Sequence, residues 1–221
     1  MKINNIIRPP DYGKHIIFLG STGSGKSFLA KRLLRYYEKY FVFDMQENFD
    51  IKDNAVRYYK KPSDVINAIK RYVHKIVYQP NMEYHEIDIN NYIIKTIVES
   101  SKPKKIKERI LYIDEIYHLG YQNSFPSYLA RGFALARQKK ISLWVATQRP
   151  KNIPTNVLTE ASRIYIFSLS KLDDIKYISE FAPAGREKEL QEVIRNLKRE
   201  EYKFIELDLI NKEMYLHDKL I

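Results

Sequence analysis

A chain of 221 residues, 44% of them hydrophobic, is long enough to enclose the core of one α/β domain. It holds no run of the roughly 18 apolar residues that a bilayer crossing requires, and no signal peptide opens it, so a soluble, intracellular protein is expected. The absence of cysteine excludes disulfides, thiolate metal sites and cysteine nucleophiles. A formal charge of +11 favours polyanionic partners, DNA or RNA foremost, although a lysine-rich solvating surface accounts for the charge alone equally well.

The first dozen residues, ending Arg8-Pro-Pro-Asp-Tyr-Gly13, read as an irregular arm. The apolar run His15-Ile-Ile-Phe-Leu19 predicts a buried strand. Ser27 to Tyr40 predicts a helix, with Phe28, Leu29, Leu33, Leu34 and Tyr37 at helical spacing. Between them lies Gly20-Ser-Thr-Gly-Ser-Gly-Lys-Ser27, which fits the phosphate-binding pattern G-x-x-x-x-G-K-[ST]. In that setting the backbone around Gly20, Ser21, Thr22, Gly23, Ser24 and Gly25 converges on an anion, and the three glycines permit positive φ and close approach. The helix N-terminus adds about half a positive charge at the same place. Lys26 is placed to bridge the β- and γ-phosphates and the Ser27 hydroxyl to ligate Mg²⁺. The stretch predicts a nucleoside triphosphate site, with no base-reading motif to separate ATP from GTP.

Tyr40-Phe-Val-Phe-Asp44 reads as a short strand ending in an acid, followed by a polar loop with a short strand near Val56. Pro62-Ser-Asp opens a helix that Ser63 is expected to cap, with Val65, Ile66, Ile69 and Val73 on its apolar face. Lys75 to Gln79 is a strand, and Tyr84 to Ser101 an amphipathic helix. The basic stretch Lys102-Pro-Lys-Lys-Ile-Lys107 reads as an exposed loop, suited either to a phosphate backbone or to solvent. Arg109-Ile-Leu-Tyr-Ile-Asp-Glu115 predicts a buried strand that opens at a nucleotide crevice, expected beside the strand preceding the phosphate loop. Asp114 is placed to hold Mg²⁺ and Glu115 to act as general base on the attacking water.

A helix from about Ser127 to Lys139 precedes a strand, Ile141 to Ala146, that ends in Thr147-Gln-Arg-Pro150. Gln148 is placed either to contact the γ-phosphate or lytic water, or merely to turn the chain before Pro150. Arg163 to Ser168 is a further strand, followed by helices over Asp173–Phe181 and Arg186–Arg199 and a hairpin of Tyr202–Leu207 with Glu213–His217. Strands alternating with helices argue for a largely parallel sheet covered on both faces.

The stretch A-R-Q-K-K-I-S-L-W-V-A-T-Q-R-P from Ala136, with N-V-L-T-E-A-S-R-I-Y-I-F-S-L-S-K-L-D-D from Asn156 and V-F-D-M-Q-E from Val42, resembles the FtsK–HerA superfamily of DNA-pumping ATPases. The resemblance covers about His15 to Phe181. Within that superfamily, a chain this short is similar to the genome-packaging ATPases of icosahedral double-stranded DNA viruses with an internal membrane, archaeal viruses among them. The resemblance implies an α/β, RecA-like P-loop NTPase of one domain spanning 1–221, with its core at about 15–181 and a C-terminal helix and β-hairpin at about 186–217. It implies ATP and Mg²⁺ as cofactors, a ring, usually a hexamer, with nucleotide at subunit interfaces, and an arginine finger reaching the neighbour's γ-phosphate. Arg137 and Arg163 are the leading candidates for that finger, with Arg131 and Arg149 as further ones. The implied activity is a motor translocating double-stranded DNA into a preformed viral capsid at a packaging vertex, in the host cytoplasm or associated with the virion. A P-loop kinase of a nucleotide or small molecule, or a plasmid-transfer or helicase-loading ATPase, are the alternatives.

Overall fold

Three strands at the centre of the sheet carry the same signature. Ile17 and Leu19, Leu111 and Ile113, and Leu143 and Val145 enter one buried cluster. Ile16 and Phe18, Ile110 and Tyr112, and Trp144 and Ala146 enter another. Successive side chains of a strand point to opposite faces, so strands apolar throughout must be covered on both. The computed structural model describes residues 2–3, 7–81, 83, 87–99, 108–119, 133, 140–153 and 155–218.

Its elements are β1 (Lys2–Ile3), β2 (Ile16–Leu19), α1 (Lys26–Leu34), β3 (Tyr40–Phe43), β4 (Arg57–Tyr59), α2 (Pro62–Lys70), β5 (Lys75–Tyr78), α3 (Ile87–Glu99), β6 (Arg109–Ile113), β7 (Ile141–Thr147), α4 (Thr155–Glu160), β8 (Arg163–Ile166), α5 (Leu172–Ser179), α6 (Glu187–Asn196), β9 (Phe204–Asp208) and β10 (Glu213–His217). The strands form one ten-stranded sheet in the order β1-β10-β9-β8-β2-β7-β6-β3-β5-β4. Every pair from β8 to β4 is parallel. The β9–β10 hairpin adds to β8 antiparallel, and β1 pairs parallel with β10, so the expected irregular arm ends on the sheet edge. None of the described helices is long and apolar enough to cross a membrane.

One face of the sheet is covered by α1 through Leu29, Ala30, Leu33 and Leu34, together with Tyr37 just beyond it. Tyr37 also donates its hydroxyl to the Pro10 carbonyl, fastening the arm beside α1. The other face is covered by Val65 and Ile69 of α2, Ile93, Ile94 and Ile97 of α3, Ile175 and Ile178 of α5, and Leu190 and Ile194 of α6. The helix α2 starts on Pro62 with Lys61 at its N-cap and no side-chain cap, so Ser63 lies inside the first turn rather than capping it. Phe28 does not join the buried face of α1 but is 56% exposed. Adjacent residues stand about 100° apart on a helix, so Phe28 cannot follow Leu29 into the core.

The expected placement of the acidic strand directly beside β2 is corrected by the strand order. In the sheet β7 lies between β2 and β6. Leu19 is level with Thr147, and Ile113 is level with Val145. Counting two residues on from Ile113 brings Glu115 level with Thr147, so three chain ends reach the same edge side by side: Gly20, Gln148 and Glu115.

Candidate functional site

The phosphate loop leaves β2 and enters α1 at this edge. It is pinned to both neighbouring strands: the Gly20 N–H donates to the Thr147 carbonyl at 3.2 Å, and the Ser21 N–H to that of Ser168 at 2.9 Å. Gly23 and Gly25 adopt left-handed φ of 72° and 111°, which only glycine takes without strain. Gly20 is a glycine for a different reason from the conformational one expected. A Cβ there would lie 2.7 Å from that of Phe167 and 2.6 Å from the Ser24 hydroxyl, closer than atoms pack. Gly20→Ala is therefore expected to displace the loop and lower stability by about 1–3 kcal/mol, read as a lower melting temperature by circular dichroism.

With Gly25 as its N-cap and no capping side chain, α1 points its first backbone N–H groups at the site, and Lys26 and Ser27 occupy its first turn. The Lys26 ammonium donates to the carbonyls of Gly20 at 2.8 Å and Ser21 at 3.2 Å, and lies 3.5 Å from Glu115 Oε1. Burial lowers its pKa, outweighing the opposing pull of Glu115 and Asp114.

Ser27 donates its hydroxyl to Asp114 Oδ1 at 3.3 Å, and the Tyr112 hydroxyl donates to the same oxygen at 2.8 Å. Burial raises the Asp114 carboxyl to about 6, against the Tyr112 hydrogen bond and with help from the negative charges of Glu115 and Asp44. A hydroxyl and a desolvated carboxylate facing each other at a helix N-terminus are a donor set suited to a hard divalent cation.

Glu115 follows with φ of 51°, a left-handed conformation rare outside glycine and found where a site over-determines its geometry. Its Oε1 accepts from Gln148 Nε2 at 3.0 Å, while its buried Oε2 has no hydrogen-bond partner among the described residues. The hydroxyl of Ser24, in the loop opposite, is likewise buried without a partner among the described residues. Two orphaned oxygens beside a phosphate loop mark a place built to receive further polar groups.

The structure thus brings together Gly20 to Ser27, Asp114, Glu115 and Gln148. Gln148, expected either to contact the γ-phosphate or lytic water or merely to turn the chain, donates to Glu115 Oε1. Arg163 stands elsewhere, at the first position of β8 opposite Ile16, the sheet edge remote from its own phosphate loop. Its guanidinium is 3.3 Å from Glu206 and donates to the Arg8 carbonyl at 2.9 Å. Arg149 pairs with Asp174 at 2.8 Å. Arg131, Arg137 and Lys102 to Lys107 lie outside the described residues.

Two contributors went unread in the sequence. Tyr112 shares its strand face with Asp114, a spacing of two that was available as a signal. Asp44, completely buried at the end of β3, accepts from the Asn48 and Phe49 N–H groups and from Gln79, folding the next loop against the site. Only its position at a strand end hinted at this.

A RecA-like α/β sheet with a phosphate loop on one strand, an acidic pair two strands away and a glutamine between them defines a P-loop nucleoside triphosphatase. The family model of the poxvirus A32 protein matches residues 11–219, and the chain belongs to that family. Comparison with curated protein sequences finds no match. Among solved structures, the chain is similar to the genome packaging NTPase B204 of Sulfolobus turreted icosahedral virus 2 in complex with ATP-gammaS. That match has a TM-score of 0.73 and 19% identity over 97% of this chain and 100% of that one. It is also similar to B204, the DNA-packaging ATPase of Sulfolobus turreted icosahedral virus, with a TM-score of 0.71 and 20% identity over 96% and 100% of the two chains. The pCW3 conjugation coupling protein TcpA, in its monomer form with ATPgS, matches at a TM-score of 0.59 and 14% identity, covering 94% of this chain and 60% of that one. The fold expected from the FtsK–HerA resemblance is therefore the fold found.

Proposed function

We propose that the chain is an ATP-hydrolysing motor that moves double-stranded DNA into a viral capsid. The observation that carries the hydrolytic part is the unpartnered Glu115 Oε2, buried beside the Lys26 ammonium and braced through Oε1 by Gln148. A water accepted by that oxygen gives its proton to Glu115 as its own oxygen attacks the γ-phosphorus. The bond to the β,γ-bridging oxygen breaks in line, and ADP leaves. Lys26 supplies positive charge to the oxygens on which negative charge builds, and the first turn of α1 supplies N–H donors.

Ser27 and Asp114 are the residues that would hold Mg²⁺, whose chemistry there is to neutralise phosphate charge. Ordered assembly into a ring, with an arginine from one subunit completing the next subunit's site, would make turnover cooperative. Arg163 and Arg137 are the proposed donors, and Arg163 would have to exchange its contact with Glu206 to serve.

The DNA part is supported by the two B204 proteins, whose whole length this chain matches, and by the charge of +11. TcpA, a conjugation protein, is matched over only part of its length. A motor that grips the phosphate backbone is indifferent to sequence and weakened by salt. ATP hydrolysis is therefore expected to rise with long duplex DNA of any sequence, with the stimulation fading between about 50 and 200 mM salt. Phosphate release measured with and without DNA across that range checks this. Turnover that ignores DNA at every salt concentration refutes the motor.

A further inference from the structure

Beside the phosphate loop lies a cavity of about 500 Å³ lined by Gly23, Gly25, Lys26, Ser27, Phe28 and Tyr202. The first four belong to the phosphate-binding machinery. The last two are half-exposed aromatic rings, Phe28 at 56% and Tyr202 at 46%, from opposite ends of the sequence. Aromatic rings on solvent-facing walls are exposed apolar area that a helix and a turn would otherwise hide. In this cavity they stand beside Lys26 and Ser27 of the phosphate loop.

Tyr202 does not arrive alone. It closes the short 3-10 turn Arg199–Glu201, adopting a left-handed conformation of φ 51° and ψ 25° to do so. The turn is anchored on both sides, by buried Leu197 at the end of α6 and buried Phe204 at the start of β9. A bulky residue held at positive φ between two core anchors is strain retained at a fixed position, as ligand clamps retain it.

The same turn delivers Arg199 onto the loop. A Cβ built on Gly23 would lie 2.5 Å from Arg199 Nη2 and 3.1 Å from both Cζ and Nε, so the guanidinium lies directly against the glycine. Among the described residues no carboxylate pairs with Arg199. Glu201, its neighbour in the turn, is instead within ion-pair reach of Lys198 at 3.9 Å and Lys203 at 3.2 Å. An unneutralised guanidinium on a phosphate loop is a ready hydrogen-bond donor to phosphate oxygens, planar and permanently charged. It belongs to the same subunit as the loop, unlike a finger supplied by a neighbour.

We infer that residues 199–202 form the outer wall of the nucleotide site, with Arg199 binding the distal phosphates and Tyr202 and Phe28 holding the base and ribose between their rings. The inference rests on the nucleotide-site reading but not on DNA or on ring assembly. Stacking accepts any base, since every base offers a π-face, so the clamp suits nucleoside triphosphates generally.

The test is equilibrium titration calorimetry of the full chain with ATPγS and with AMP. Arg199→Ala is expected to weaken ATPγS about tenfold while leaving AMP nearly unchanged, because the guanidinium meets only distal phosphates. Tyr202→Asn and Phe28→Ala are expected to weaken both ligands by a similar factor of about ten, because the rings meet only the nucleoside. Asparagine adopts positive φ readily, so Tyr202→Asn removes the ring without straining the turn. Tyr202→Phe, which keeps the ring, is expected to bind as the parent does. If Arg199→Ala and Tyr202→Asn both bind ATPγS as tightly as the parent, the wall is not part of the site and the inference falls. Lys26→Met is the control that separates the two readings. If it too binds normally, the nucleotide site itself is wrongly placed.

Discussion

A Lys26→Met protein is expected to lose ATP turnover by a factor of about 10²–10³, the loss seen when one charged or hydrogen-bonding stabiliser of a developing oxyanion is removed. The expectation follows from how the ammonium is held. Its side chain is 5% exposed and its three protons face the Gly20 and Ser21 carbonyls and Glu115. Burial lowers its pKa, and the charges of Glu115 and Asp114 oppose that shift. Phosphate oxygens are stronger acceptors than carbonyls, and the ammonium can turn to them without leaving the loop. Methionine keeps the stem and fills the same space, so the substitution removes the charge and little packing. It leaves Glu115 without its cation but still bonded to Gln148. Melting temperature without nucleotide is therefore expected to shift by a few degrees at most, while the rise produced by saturating ATP in the parent disappears. That rise measures binding to the folded state directly. Turnover at the parental rate with an intact ATP-induced rise would remove Lys26 from the site.

The phosphate loop and the acidic pair were legible because their chemistry is local. Gly20 to Ser27 must wrap an anion within eight residues, and Asp114-Glu115 must end an apolar strand, so spacing along the chain reports both. The parallel sheet was legible from the same strands, whose unbroken apolar runs allow no exposed face. Strand order was not. Nothing in Ile141 to Thr147 says that β7 inserts between β2 and β6, because that depends on which helices cover which face. The insertion decides what Gln148 touches, and so its bond to Glu115 was not foreseen.

Phe28 and Tyr202 were misread for a related reason. Helical spacing groups Phe28 with Leu29, Leu33, Leu34 and Tyr37, and the pattern of the C-terminal hairpin makes Tyr202 the first residue of a strand. Both rings instead face the cavity beside the loop, where apolar surface serves a ligand rather than the interior. Arg199 was read as the last residue of a helix that in fact ends at Asn196. Local pattern cannot distinguish a helix end from a turn that folds back onto a loop some 175 residues earlier, since that return is decided by where β9 joins β8.

Glu115→Gln is expected to bind ATP at least as tightly as the parent and to hydrolyse it about 10²–10⁴ times more slowly, the range that general-base catalysis supplies. The substitution is nearly isosteric, so the left-handed backbone at φ 51° and the place of the side chain are retained. An amide oxygen can still accept from Gln148, which preserves the brace. What it cannot do is take a proton from water at neutral pH. Removing the negative charge also releases Lys26 from its 3.5 Å contact and lessens the repulsion that a polyphosphate would meet. Asp114, whose carboxyl is raised to about 6 partly by the charge of Glu115, is expected to ionise more readily beside the neutral amide, which strengthens rather than weakens its hold on a divalent cation. Binding and hydrolysis therefore separate in this variant as they do not in Lys26→Met. Calorimetry with ATP gives the affinity, and single-turnover release of labelled phosphate gives the rate. Parental single-turnover rates would exclude Glu115 as the base, and the proton would then have to leave by way of another group at the loop.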